Sequence, residues 1–262
     1  MKLNLSIIVP AFNECERIGN SIHKILDYIK GENLNAELIV VDDGSEDNTY
    51  ETAKNACAVF PELLTKVIRY EQNRGKGFAV KTGLWEAHGA TAVFSDADLS
   101  TPIEELPKLV EPIERGEFDL TFGSRALDRN LIGTHQPWRR EQSGKVFNFM
   151  VRVLTGLPFS DTQCGFKAFR MSKFRPLLDK MKIERFGFDV EFLYVANFSG
   201  LRLKETPVRW NHCDGSKINV FRDSRKMFWE INQIRQNAGR GIYDNTATAD
   251  AFSMVNLSNQ KI

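Results

Sequence analysis

Short apolar stretches alternate with stretches of helical periodicity through the first 95 residues, and this alternation restricts the fold more than any other feature. Aliphatic side chains dominate each apolar stretch, as in strands that are buried on both faces of a sheet. Strands that are joined through helices lie parallel, with right-handed crossovers. The sequence therefore predicts an α/β fold with a mostly parallel sheet. Its first four predicted strands are Leu5–Val9, Glu37–Val41, Thr65–Arg69 and Thr91–Phe94.

The second half of the chain is less regular, and no internal repeat or second-domain linker interrupts it. We expect a single domain over residues 1–243. After Tyr243 the sequence becomes polar and loses its pattern, so residues 244–262 are predicted to form a flexible tail. The elements predicted in this half are strands at Asp119–Phe122 and Arg202–Val208, and helices around Val146–Leu157, Phe188–Phe198 and Phe221–Gln236.

Polar loops that carry acidic residues follow three of the first four predicted strands. Because parallel strands end at the same edge of a sheet, these loops are expected to converge there. Asp96 and Asp98 supply two carboxylates at one strand end, and such hard oxygen ligands suit Mg²⁺ or Mn²⁺ shared with a diphosphate. Taken alone, this stretch favours a capped turn instead. The convergence of the loops 10–14, 42–45 and 96–98, with the loop 73–77 nearby, is what predicts a ligand site.

Composition narrows the classes of function. The formal net charge is +1, so nothing points to nucleic acid. The four cysteines are scattered and fit reduced thiols better than disulfides or a zinc site. No apolar run is long enough to span a membrane, and the first predicted strand leaves no room for a signal peptide. We therefore expect a cytoplasmic protein.

Two common phosphate-binding devices are missing from the sequence. There is no P-loop motif, and the stretch Gly75–Gly77 is too short for a dinucleotide fingerprint. Sugar-1-phosphate nucleotidyltransferases use a glycine-rich, arginine-bearing loop after the first strand, whereas residues 10–14 here read Pro-Ala-Phe-Asn-Glu.

The combined motifs resemble family-2 glycosyltransferases of the GT-A fold. Four blocks in the first half carry the resemblance: 9–14, 41–49, 73–77 and 96–98. Further blocks are similar to the branch that moves a sugar onto a polyprenyl phosphate, such as dolichyl phosphate; they are 123–125, 161–167, 186–191, 207–210 and 215–217. The resemblance extends over roughly Ser6–Gln236.

The resemblance implies roles for individual residues on the donor side. Asp43 corresponds to the carboxylate that accepts a hydrogen bond from uracil, and Asp98 to a direct metal ligand. Asp96 is implied as a sugar or ribose contact or as a second ligand, and Gln163 as a further ligand. The implied nucleotide-sugar site comprises Pro10, Ala11, Glu14, Asp43, Arg74, Lys76 and Asp96.

On the acceptor side, the chemistry of the acceptor decides whether a general base is needed. A sugar hydroxyl must lose a proton as it attacks, whereas a phosphate monoester is already an anion at neutral pH. Asp161 is expected to organise the acceptor site and, with Asp96, Asp98 and Arg125, to belong to the catalytic set. The cations expected to hold the acceptor phosphate are Arg125, Arg139, Arg140 and Lys217.

The resemblance implies an inverting, metal-dependent transfer of glucose from UDP-glucose to a polyprenyl (dolichyl) phosphate. The alternatives are GDP-mannose as the donor, a sugar-to-sugar transferase, and a nucleotide-sugar binding protein without activity. A polyprenyl acceptor also implies contact with a membrane, so we expect peripheral attachment at its cytoplasmic face. The helices predicted near residues 146–157 and 221–236 each carry an apolar stripe that fits either a lipid interface or the core.

Overall fold

A seven-stranded sheet forms the centre of the computed structural model, which describes residues 3–134, 138–213 and 220–244. Its strand order is β3-β2-β1-β4-β7-β5-β8. The strands are β1 (Leu5–Ala11), β2 (Ala36–Asp42), β3 (Leu64–Arg69), β4 (Thr91–Ser95), β5 (Leu120–Ser124), β6 (Ile132–Thr134), β7 (Phe166–Arg170), β8 (Leu203–Pro207) and β9 (Trp210–Asn211). The predicted α/β fold with a mostly parallel sheet is confirmed.

Helices cover both faces of the sheet. They are α1 (Ile18–Gly31), α2 (Thr49–Ala58), α3 (Lys76–Glu86), α4 (Leu106–Glu114), α5 (Trp138–Thr155), α6 (Met171–Phe174), α7 (Phe188–Phe198) and α8 (Val220–Gly239). Successive side chains of β1 point to opposite faces of the sheet. Ile7 and Val9 lie in the core that packs against α1, α2 and α4, whereas Ile8 lies in the core that packs against α3, α7 and α8. Two apolar cores therefore hold the sheet as the middle of three layers.

Strand β7 is the strand of the central sheet that sequence patterning missed. It pairs antiparallel with both β4 and β5, whereas β1 pairs parallel with β2 and β4. Its five residues alternate too briefly to predict a strand, and Lys167 interrupts the apolar pattern although it is fully buried. The ammonium group of Lys167 is neutralised by Asp189 at 2.5 Å, which explains how a charged side chain is accommodated in a central strand.

Within the described ranges, no helix combines the length and the apolar content that a membrane span requires. The predicted tail at 244–262 lies outside the described residues except for Asp244.

A buried carboxylate fastens the end of α8 to the segment before α7. Glu191 accepts hydrogen bonds from the backbone N–H of Lys182 at 2.9 Å, from that of Ile183 at 2.8 Å and from the Tyr243 hydroxyl at 2.6 Å. Burial raises the pKa of Glu191, while these donors act against the rise. The contact holds α8 beside the loop 183–187.

Replacing Tyr243 with Phe is expected to lower the free energy of unfolding by about 1–2 kcal/mol, because the buried Glu191 loses one donor. Urea denaturation measures the change. Tyr28→Phe is the matched control, since that half-buried hydroxyl makes no hydrogen bond within the described residues. Equal effects of the two substitutions would contradict this account of the Glu191 contact.

Candidate active site

A cavity of about 350 Å³ opens where the chain changes direction across the sheet. After β1 the chain builds β2 and β3 on one side, and it then crosses to the other side of β1 to form β4. The loops that leave β1 and β4 must therefore diverge, which makes a crevice at the carboxyl ends of these strands. The cavity occupies this crevice. Seven predicted site residues line it: Pro10, Ala11, Glu14, Asp43, Lys76, Asp96 and Asp98.

Asp43 ties the loop after β3 to the end of β2. Its Oδ1 accepts the Arg74 N–H at 2.8 Å, and its Oδ2 accepts the Gly75 N–H at 2.8 Å and the Asn73 side-chain amide at 2.9 Å. Burial raises the pKa of Asp43, and the backbone donors oppose that rise. These three bonds hold the carboxylate in place where it lines the cavity.

Glycine at positions 75 and 77 lets this loop approach the segment before α7. Gly75 has a φ of 115°, and a Cβ there would lie 2.6 Å from the carbonyl oxygen of Glu184. A Cβ on Gly77 would lie 2.5 Å from the Cβ of Phe188. The two glycines therefore bring Lys76, which stands between them, close to the floor of the cavity.

Lys76 pairs with Asp96 inside the cavity, with 2.5 Å between Nζ and Oδ1. Burial would lower the pKa of Lys76, but the charges of Asp96 and Asp189 raise it above its ordinary value. The lysine therefore stays protonated. It places a fixed positive charge beside the first carboxylate of the Asp96–Asp98 pair.

Asp98 has a carboxylate oxygen that could bind a hard cation shared with a diphosphate. Its Oδ1 accepts the Ser100 N–H at 2.9 Å, and no described residue donates to its Oδ2. Leu99 follows with a φ of 47°, a left-handed conformation that a leucine rarely adopts and that turns the chain sharply behind Asp98. In the described ranges no cluster of three His, Cys, Asp or Glu side chains could hold a metal. A cation here would therefore need phosphate oxygens or water in addition to its one or two carboxylate ligands.

Gly165 forms the wall behind Asp96. A Cβ on Gly165 would lie 2.0 Å from the Asp96 Oδ2, and the Asp96 N–H donates to the Gly165 carbonyl at 3.1 Å. The start of β7 thus packs its bare backbone against the carboxylate. This close contact explains why position 165, within the predicted block 161–167, is a glycine.

Arg125 and Asp161 form a bidentate ion pair. Nε to Oδ2 is 2.7 Å and Nη2 to Oδ1 is 2.8 Å, and the Arg125 N–H adds a third bond at 3.0 Å. Burial would raise the pKa of Asp161, but the charge of Arg125 lowers it to about 2. Asp161 is therefore a permanent anion that fixes the arginine, and it is a poor proton acceptor at neutral pH.

Residues 6–178 match the sequence profile of Glycosyl transferase family 2. The chain belongs to this family. The resemblance inferred from the motifs is thereby confirmed, and the family-2 match covers the cavity-lining loops that follow β1, β2, β3 and β4.

Several curated relatives of this family-2 glycosyltransferase share one name. The "Dolichyl-phosphate beta-glucosyltransferase" of Dictyostelium discoideum is 32% identical over 249 residues, covering 91% of this chain and 76% of the relative. The protein of the same name from Drosophila melanogaster is 35% identical over 230 residues, covering 84% and 70%. The predicted resemblance to dolichyl-phosphate β-glucosyltransferase is confirmed at this level of identity.

Solved structures agree with the fold. The glucosyl-3-phosphoglycerate synthase of Mycobacterium tuberculosis, crystallised with Mn²⁺, UDP-glucose and phosphoglyceric acid, superposes with a TM-score of 0.64 at 21% identity. The match covers 88% of this chain and 79% of the synthase. The likeness establishes the GT-A fold of this family-2 glycosyltransferase.

Some predicted residues lie beside the cavity instead of lining it. Arg74 packs its guanidinium over the Phe78 ring, 3.4 Å from the centroid, and pairs with Glu184. The Gln163 side-chain amide is directed at the sulfur of Met227, 3.9 Å away. Arg125 also lies outside the cavity lining. The roles assigned to these residues remain predictions.

Three of the predicted acceptor cations are beyond what the structure describes. Arg139 and Arg140 belong to the first turn of α5, but their side chains are outside the described part, and Lys217 lies in the undescribed range 214–219. Their roles remain predictions from the resemblance.

Sequence reasoning missed the wall that the second half of this family-2 glycosyltransferase contributes. Arg185 and Lys226 line the cavity, and neither makes a hydrogen bond or ion pair within the described ranges. Between them Glu230 accepts the Gly187 N–H at 2.6 Å. These residues are far apart in sequence, and only the packing of α8 against the loop 183–187 brings them to the nucleotide loops. The one available signal was the position of Arg185 directly before the block 186–191.

Gly165→Ala is expected to reduce nucleotide binding more than stability, because the added methyl group would displace the Asp96 carboxylate. The increase in Tm caused by UDP with Mn²⁺ measures binding. Gly239→Ala is the control, since a Cβ there meets nothing within 4 Å. An undiminished Tm increase in Gly165→Ala would show that Asp96 tolerates displacement.

Asp161→Asn is expected to cost about 3 kcal/mol of unfolding free energy at pH 7, because Arg125 loses its partner. The folded pKa of Asp161 is below its ordinary value, so the ion pair stabilises the protein above about pH 4 and this contribution is lost as the pH falls towards 2. The difference from the unsubstituted protein should therefore narrow by about 1 kcal/mol between pH 5 and pH 3.

Urea denaturation at these pH values measures the difference, with the exposed Asp27→Asn as the control. A difference that is independent of pH would contradict the low pKa of Asp161.

Proposed function

We propose that this family-2 glycosyltransferase moves glucose from UDP-glucose to dolichyl (polyprenyl) phosphate, releasing UDP and forming polyprenyl-phosphate β-glucose. The observation that carries the proposal is the name shared by three curated relatives, which are 30–35% identical to this protein over most of the chain. The activity predicted from the sequence is the one these relatives are named for. The cavity supplies the matching chemistry, with an acidic pair, a fixed lysine and a buried carboxylate at one crevice.

The acceptor explains why the site can work without a general base. A phosphate monoester has a second pKa near ~6, so at neutral pH it attacks as an anion. Its oxygen forms a bond to the anomeric carbon of glucose while the bond from that carbon to the diphosphate oxygen breaks. Displacement in line inverts the α-linked donor to a β-linked product. The two carboxylates that could have served as bases are both committed to cations, Asp161 to Arg125 and Asp189 to Lys167.

We include Mg²⁺ or Mn²⁺ in the proposal, held by Asp98 with Asp96 as the second ligand. Bound there, the cation would neutralise charge that develops on the leaving diphosphate. The chain's own cations act in the same sense. Lys76 stands beside Asp96, and Arg185 and Lys226 also line the cavity and form no hydrogen bond or ion pair within the described ranges. Positioned charges of this kind stabilise the departing anion without reorganising during the reaction.

Arg125 is proposed to hold the acceptor phosphate. Asp161 occupies its Nε and Nη2, and no described residue accepts from Nη1. The ion pair therefore orients the guanidinium and leaves one edge for a phosphate oxygen. Arg139, Arg140 and Lys217 are proposed to complete this site, and Gln163 to approach the cation.

The acceptor carries a long isoprenoid chain, so the enzyme is proposed to act at a membrane surface, on the cytoplasmic face where we expect the protein. We also propose that residues 1–243 form a single domain.

One assay tests the proposed function directly. The full chain is incubated with radiolabelled UDP-glucose, Mg²⁺ and a short prenyl phosphate, and the product is extracted into organic solvent. We expect labelled lipid with UDP-glucose and none with GDP-mannose. Label carried only by GDP-mannose would assign the chain to the mannosyl donor, and no label from either donor would contradict the proposal.

Asp98→Asn is expected to reduce turnover at least about 100-fold and to remove the Mn²⁺ dependence of UDP binding, because the principal cation ligand is lost. Calorimetry with UDP, with and without Mn²⁺, measures this second effect. Asp179→Asn changes an exposed acid elsewhere on the surface and serves as the control. Unchanged turnover in Asp98→Asn would exclude Asp98 as a ligand.

A further inference from the structure

The most exposed large apolar side chains of the protein are concentrated on two neighbouring helices. Of the five most exposed in the described ranges, four belong to α5 or α8: Trp229 at 69%, Val153 at 67%, Phe149 at 66% and Val146 at 60%. The two helices pack directly against each other. Single exposed apolar residues are ordinary, but a cluster on adjoining elements marks an interaction surface.

Helix α5 carries two separate apolar faces. Phe147 and Val151 are buried in the core, so the packing requirement of the helix is already met. Val146, Phe149 and Val153 follow one another at spacings of three and four residues and form a second stripe, about 150° around the helix from the buried one. Core packing therefore does not account for this outer stripe.

Helix α8 connects this surface with the active site. Met227 and Lys226 line the cavity, while Trp229 on the same turn is exposed on the side away from the buried Ile231 and Ile234. One helix therefore borders the cavity along one face and carries an exposed indole on another. A ligand lying against the outer surface would be next to the cavity.

The charge of α5 favours an anionic surface. Over its 18 residues the helix carries four basic residues and one acidic residue. They are Arg139, Arg140, Lys145 and Arg152 against Glu141. Apolar and aromatic side chains beside basic ones are typical of helices that lie in the interface of an anionic bilayer.

We propose that the outer stripe of α5, comprising Val146, Phe149 and Val153, together with Trp229 of α8, docks the protein on the surface of an anionic lipid bilayer. This inference rests on the proposed function, because a polyprenyl phosphate must be taken from such a bilayer. It assigns α5 to the lipid and shows that Ile231 and Ile234, predicted as part of a lipid or core stripe, belong to the core.

Vesicle co-sedimentation of the full chain tests the assignment, with vesicles of phosphatidylcholine alone and with equal parts of phosphatidylglycerol. The test variant combines Phe149→Ser with Val153→Ser. The control combines Val59→Ser, at the end of α2, with Leu64→Ser, in the edge strand β3; these side chains are 62% and 57% exposed. We expect binding to the anionic vesicles to fall at least about tenfold in the test variant only.

Vesicle binding needs neither donor nor acceptor, so the result is independent of the reaction. Transfer to a water-soluble short prenyl phosphate should be unchanged in the test variant, which also shows that it folds. Equal vesicle binding by the test and control variants would overturn the proposal, as would the absence of binding by the unsubstituted chain. Size-exclusion chromatography that shows a dimer lost in the test variant, with vesicle binding retained, would assign the stripe to a second copy.

Discussion

The position of β1 between β2 and β4 is the constraint on which the rest of the structure depends. Because the chain leaves β1 on one side and returns to form β4 on the other, the loops after these strands separate and open a crevice. Three of the carboxylates that line the crevice lie at the ends of strands that neighbour β1. Asp43 follows β2, and the Asp96–Asp98 pair follows β4. The strand order thus determines the position of the crevice, and the side chains around it determine which ligand it can bind.

Electrostatic balance determines what the crevice can bind. Two of its carboxylates are partly neutralised by the protein itself, Asp96 by Lys76 and Asp43 by three N–H donors, while Asp98 keeps one oxygen that no described residue engages. The second half of the chain adds Arg185 and Lys226. A crevice that combines acidic side chains with cationic ones suits a metal-bound diphosphate better than a neutral ligand.

Much of the fold and of the donor side could be predicted from the sequence, since strand patterning is local and strand endings follow from it. Asp43, Asp96 and Asp98 were located in this way before their contacts were known. Strand β7 could not be predicted, because it is short and antiparallel and places the charged Lys167 in the core. Arg185 and Lys226 were missed because their position depends on α8 packing against a loop about forty residues earlier. The spacing of apolar residues also could not show which apolar side chains of α5 and α8 are buried in the core and which are exposed.

A crystal structure with UDP and Mn²⁺ tests the central claim most directly. The account predicts one anomalous Mn²⁺ peak bound by Asp98 and the diphosphate, with the uracil ring near Asp43 and the nucleotide filling the crevice between β1 and β4. A nucleotide or a Mn²⁺ peak bound elsewhere, with the acidic pair left in contact only with Lys76, would contradict it.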